Sequence, residues 1–126
     1  MGSSPALIPL LALDEEGFRE RFRHSPIKRT KRRGLLRNVC VALGNSGDPA
    51  ATPALVGALR DVEPLVRGHA AWALGRIGGG TARGALAEAL EQESDPAVRD
   101  ELRYALTLLE DGTLAGRAGT ATGSAN

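Results

Sequence analysis

Leu35-Leu36-Arg37-Asn38-Val39-Cys40-Val41-Ala42-Leu43-Gly44 returns 31 residues later as Val66-Arg67-Gly68-His69-Ala70-Ala71-Trp72-Ala73-Leu74-Gly75. It comes back 32 residues after that as Val98-Arg99-Asp100-Glu101-Leu102-Arg103-Tyr104-Ala105-Leu106. The matching positions are Leu35/Val66/Val98, Ala42/Ala73/Ala105 and Leu43/Leu74/Leu106. Shorter stretches between them also match, Ala54-Leu55 with Ala85-Leu86 and Leu59 with Leu90. A fixed period of this length marks a supersecondary unit repeated along the chain. Within 64–77, Val66, Ala70, Ala73, Leu74 and Ile77 recur at helical spacing and share one face. The unit is a helix–turn–helix hairpin, present as two full copies and a closing half. One hairpin cannot bury its apolar stripe alone, so neighbouring copies must stack.

Punctuation sets the limits of the helices. Pro53, Pro64 and Pro96 fit first helical positions, where the missing N–H costs nothing. Thr52, Thr81 and Asp95 are placed to cap helices, while Gly44, Gly47 and Gly78 to Gly80 end them and permit turns. Helices are expected near 14–23, 32–44, 53–60, 64–77, 82–92 and 96–110, with a weaker one over 5–12 interrupted by Pro9. The expected organisation is an N-terminal remnant at 1–13 and a repeat domain at 14–111. Its repeats lie near 32–62, 63–94 and 95–111, and a disordered tail over 112–126 follows, with little to bury. Ala70-Ala71-Trp72-Ala73-Leu74-Gly75-Arg76-Ile77-Gly78 and Pro96-Ala97-Val98-Arg99 resemble HEAT-like repeats of the short type first noted in phycobilisome lyases. That resemblance implies an all-α helical-hairpin solenoid of about three repeats.

Composition agrees and narrows the function classes. The 126 residues suffice for one domain, and the aromatics are only Phe18, Phe22, Trp72 and Tyr104. No apolar run approaches the roughly 20 residues that cross a bilayer, and no secretion signal is evident, so a cytoplasmic location without membrane contact is expected. Cys40 is the sole cysteine, which excludes an internal disulfide and a cysteine-built metal site. Among Val39, Val41 and Leu43 it reads as a small structural hydrophobe. His24 and His69 are far apart in sequence and form no ligand pair. The Gly78-Gly79-Gly80 run lacks the lysine of a phosphate loop and follows no strand, so it reads as a turn between helices.

Charge is strongly segregated. Residues 19–37 hold nine of the sixteen basic side chains, opposed only by Glu20, for a local balance of +8. From Asn38 onward seven arginines face eleven carboxylates, a balance of −4. Such segregation suits an anionic partner at one end of the molecule. On the repeated helices, Arg37, Asn38, Val41 and Asn45 share a face; the equivalent face of the next copy carries Gly68, His69, Trp72 and Arg76. The third carries Asp100, Glu101 and Tyr104, so Val41, Trp72 and Tyr104 form a ladder one repeat apart. An aromatic beside Arg and His suits base stacking and phosphate contact on single-stranded or loop RNA. The same ladder could instead pack one repeat against the next. Phe18 and Phe22, one helical turn apart, predict an amphipathic helix docked on the first repeat.

Ser25-Pro26-Ile27-Lys28-Arg29-Thr30-Lys31-Arg32-Arg33-Gly34-Leu35-Leu36-Arg37-Asn38, running on through Val41-Ala42-Leu43-Gly44-Asn45, resembles the C-terminal signature of epoxyqueuosine reductase. Leu10-Leu11-Ala12-Leu13-Asp14-Glu15-Glu16-Gly17-Phe18 and Ala71-Trp72-Ala73-Leu74-Gly75 follow the same family. The resemblance implies a role in queuosine biosynthesis, a tRNA wobble modification. The family is an oxidoreductase that uses cobalamin and two four-iron, four-sulfur clusters, and its C-terminal repeats help to hold the tRNA anticodon stem-loop. It further implies phosphate contacts from Lys28, Arg29, Lys31, Arg32 and Arg33. Arg37 and Asn38 would lie near the anticodon loop, with Asn45, His69 and Trp72 on the same face. The family's clusters need cysteine runs that this sequence lacks, so no cofactor and no catalytic residue is expected in this chain. The expectation is a tRNA-binding module, either a fragment or a separate protein, serving a catalytic domain or subunit elsewhere. The competing expectation is a HEAT-repeat scaffold for protein partners with no RNA role.

Overall fold

Pro64 begins a helix whose first turn carries Val66, and that helix becomes the centre of the molecule. The computed structural model describes residues 4–27 and 31–118, with side chains described over 6–27 and 31–110. Its helices are α1 (Ser4–Leu7), α2 (Glu15–Arg21), α3 (Lys31–Ser46), α4 (Thr52–Ala58), α5 (Pro64–Ile77), α6 (Gly80–Gln92) and α7 (Pro96–Ala118). Tight 3-10 turns cover Ile8–Ala12 and Pro49–Ala51. Helices α3, α5 and α7 pack side by side in one layer, and α4 and α6 form the second layer behind them. This is an all-α HEAT-type stack, as the repeat period predicts.

The core runs through both layers. Val66, Ala70, Ala73 and Leu74 of α5 are all fully buried, with Ile77 half-buried at the end of the same stripe. Small residues let the layer close tightly. A methyl group built on Gly44 would stand 2.6 Å from the Trp72 ring and 3.0 Å from the Ala73 Cα. One on Gly75 would stand 3.0 Å from the Ala105 Cβ. Gly44, expected to end its helix, therefore lies inside α3 as the point of closest approach to α5. The chain turns instead at Gly47 (φ +69), and after α5 at Gly78 (φ +80) and Gly79 (φ +99), where only glycine is unstrained.

Four further expectations shift. In α3 the buried face is Leu36, Val39, Cys40 and Leu43, while Leu35 and Ala42 are half-buried. The 3-10 turn at Ile8–Ala12 packs on α3 and α4, with Leu11 in the core, so the first repeat is covered on a side where later repeats meet another hairpin. Thr52 lies within α4 and Thr81 within α6; the cap ahead of α6 is Gly79. Asp95 caps α7 as expected, accepting from the Ala97 and Val98 amides at 2.9 and 3.1 Å. Finally, α7 continues past Gly112 to Ala118, and the tail expected from 112 otherwise lies outside the described residues.

Candidate nucleic-acid interface

The basic segment divides by environment. Lys28 and Arg29 lie outside the described residues. Lys31 enters α3 with a left-handed backbone (φ +68), exposed, and Arg33 is exposed beside it. Neither makes a hydrogen bond or ion pair with a described residue. Arg32 does the reverse. It is only 6% exposed, its Nε donates to the Leu13 carbonyl at 2.7 Å, and its guanidinium forms a two-pronged pair with Asp61. The expected phosphate contact at Arg32 is corrected to a structural one, because a guanidinium buried against a carboxylate and a carbonyl of its own chain is not presented to solvent.

Lys31 and Arg33 stand in the first turn of α3, where no acidic residue balances them. Cations at a helix N-terminus oppose the macrodipole and cost local stability. Their positive potential adds to that of the free N–H groups, so an approaching anion meets both. Arg37, one turn beyond Arg33, is half-exposed and bonds locally to Asn38 Oδ1 at 3.1 Å. Arg19 and Arg23 are partly offset by exposed pairs with Glu15 and Glu20, and Arg21 lies over the Phe22 ring. Phe18 is 2% exposed and tilts against Phe22 with ring centroids 5.2 Å apart. A shallow pocket beside α2 brings Phe18 together with Lys31, Arg33 and Glu63.

The face of α3 that carries Arg37 and Asn38 continues through Val41 and Asn45 into a groove of about 570 Å³. That groove gathers Asn45, His69 and Trp72, three of the expected residues, from two helices. The His69 Nδ1 lies 2.9 Å from the Leu65 carbonyl, which orients the ring. Trp72 is half-buried; its ring packs against Gly44 across the repeat boundary, and the Arg76 guanidinium sits 5.4 Å from its centroid. It therefore fills a packing role and also lines the groove. Tyr104, the last rung of the ladder, is 57% exposed and does not line it. The opposite wall comes from α7 and the loop before it and includes Asp95 and Glu101, two carboxylates the basic-cluster reasoning did not include in the site.

A second system was missed altogether. Arg67 bonds Glu93 through two contacts of 2.9 Å and donates to the Asp61 carbonyl at 2.9 Å. Arg99 donates to the carbonyls of Leu90 and Glu93 at 2.7 and 2.8 Å. With Arg32 on Asp61, these arginines tie each loop between hairpins to the first helices of the hairpins on both sides of it. The signal was present: Asp61/Glu93, Pro64/Pro96 and Arg67/Arg99 are each 32 apart. Hydrogen bonds from Arg67 hold the Glu93 carboxyl below its ordinary range, and the same contact raises Arg67. Cys40 is fully buried, and burial pushes its thiol up to about 12, so it is an inert core residue. Iron–sulfur clusters of the ferredoxin kind take four cysteine thiolates each. One buried cysteine does not fit them.

A HEAT repeat family model matches residues 28–107. The chain belongs to the HEAT repeat family. It is also 37% identical over 106 residues to the epoxyqueuosine reductase of Bacillus cereus, covering 83% of this chain and 28% of that protein. The Bacillus subtilis epoxyqueuosine reductase is 35% identical over 109 residues, again covering 28% of that protein. A solved structure of epoxyqueuosine reductase with an epoxyqueuosine-modified tRNA-Tyr stem loop superposes with a TM-score of 0.77 at 35% identity. It covers 82% of this chain and 28% of that one. The chain spans about 28% of the length of these enzymes. Among the described residues, no helix is long and apolar enough to cross a membrane.

Proposed function

We propose that this chain is an RNA-binding HEAT-repeat module that grips a tRNA anticodon stem-loop for epoxyqueuosine reduction. The observation that carries the reading is one continuous face of α3. Arg33 and Arg37 stand at its basic end, and Val41 and Asn45 lead into the groove bearing His69 and Trp72. Phosphates would lie along Lys31, Arg33 and Arg37, where exposed cations release counterions on binding. The unpaired loop would lie toward Trp72, where a half-buried ring offers a stacking surface. The relative solved with a tRNA stem loop supports the same partner. Reductive chemistry, with cobalamin and iron–sulfur clusters, belongs in this reading to residues outside these 126, in a catalytic domain or subunit that the module serves.

The test is binding of a labelled tRNA anticodon stem-loop to the whole chain across a salt series. The Lys31→Ala, Arg33→Ala, Arg37→Ala triple variant should lose at least about tenfold in affinity, with a salt slope shallower by roughly three. Wild-type affinity in that variant would remove the reading. So would a protein partner that survives RNase treatment while no tRNA is retained, which is the scaffold outcome.

A further inference from the structure

The groove itself is unsuited to phosphate. Its far wall carries the carboxylates of Asp95 and Glu101, and among its lining residues no lysine or arginine balances them. Asp95 is already engaged as the cap of α7. Glu101 is different: it is half-buried and makes no hydrogen bond or ion pair with any described residue. A partly desolvated carboxylate without a donor is costly, and the cost is recovered when a ligand brings an N–H to it. Lining the same groove are Trp72, the oriented His69 and Asn45. With His69 Nδ1 committed to the Leu65 carbonyl, Nε2 is the ring's remaining polar atom.

We propose that this groove receives one unstacked, amino-bearing nucleobase of a bound RNA, with Trp72 as its apolar platform and the Glu101 carboxylate accepting from its exocyclic amino group. The proposal rests on the RNA-binding reading above and adds a base-selective subsite to it. Size and position agree. About 570 Å³ lies within the roughly 300–1,000 Å³ of small-ligand sites. Val41, on the groove wall, follows Arg37 by one helical turn, about 6 Å along the axis. A strand whose phosphates follow Arg33 and Arg37 can therefore place a neighbouring base in the groove while its charge stays clear of Glu101. Adenine, cytosine and guanine each present an amino donor to a carboxylate, as glutamate does with cytosine N4. Uracil has no such group.

The experiment uses the full chain and a panel of anticodon stem-loops in which each loop nucleotide in turn is A, C, G or U. Binding is read by label anisotropy and by the fluorescence of Trp72, the sole tryptophan. The wild-type protein should prefer amino-bearing bases over uracil by about tenfold at one loop position, on the order of one charge-assisted hydrogen bond. Glu101→Ala should erase that preference and leave the salt slope unchanged; Glu101→Gln, isosteric and still an acceptor, should retain part of it. Arg37→Ala should do the converse, flattening the salt slope by about one while the base preference remains. Salt-dependent binding with no base preference at any loop position overturns the subsite and leaves the phosphate reading standing. A uniform gain in affinity for every sequence in Glu101→Ala also overturns it, because Glu101 would then act only as a repelling charge. Absence of RNA binding removes both.

Discussion

Arg32 and Arg33 occupy opposite environments one residue apart, and the difference can be measured. The Arg32 guanidinium is buried between Leu13 and Asp61, whereas Arg33 is exposed and free of intramolecular pairs among the described residues. Removing one partner of a buried pair leaves the other charged and desolvated, which costs about 3–5 kcal/mol. Arg32→Ala should therefore destabilise the fold by about 3 kcal/mol in urea titration. Arg33→Ala should stay within about 0.5 kcal/mol of wild type, and under the proposed function it should weaken binding of the stem-loop. Equal stabilities for the two variants would contradict the Arg32–Asp61 contact. Sequence reading had no means of separating these neighbours. Both fall in one basic run, and only the placement of Asp61, 29 positions away, decides which is used internally.

At the scale of elements, close helix contact depends on where side chains are missing. The Gly75 position faces the Ala105 backbone, with Cα 3.2 Å from where a methyl would stand. Gly75→Ala should force α7 away from α5 and cost about 1–3 kcal/mol. Gly84, within α6, has nothing within 4 Å, so Gly84→Ala should be neutral or stabilise by up to about 1 kcal/mol through helix propensity. Urea midpoints of the two variants moving the same way would disprove this packing account. The helices themselves were legible from period and punctuation: Pro64 and Pro96 begin α5 and α7 as read. Gly44 was misread as a helix stop because glycine signals both turns and close approach. Telling them apart required knowing that Trp72 and Ala73 lie across from it.

Across the whole molecule, the hairpins are joined by the arginine–carboxylate ties in their loops as well as by core packing. Glu93, held by Arg67, has a folded-state pKa below its ordinary 4.5. The unfolded chain thus binds the proton more readily, so this tie contributes its full stability above that ordinary value. The contribution is lost as pH falls through the folded one. Urea midpoints should decline below about pH 4.5, and less steeply in Glu93→Gln. An identical decline in that variant would place the acid sensitivity elsewhere.

The amino-acid sequence by itself determined the repeat, its period, the all-helical class and the concentration of positive charge over residues 19–37. These follow from local spacing, which a chain carries without folding. Tertiary structure alone decided which cations remain available and that Trp72 both packs and lines a groove. It also gathered Glu101 and Trp72 into one groove. The physical reason is that burial and pairing depend on residues 26 or 29 positions apart in the chain, brought together when the hairpins stack.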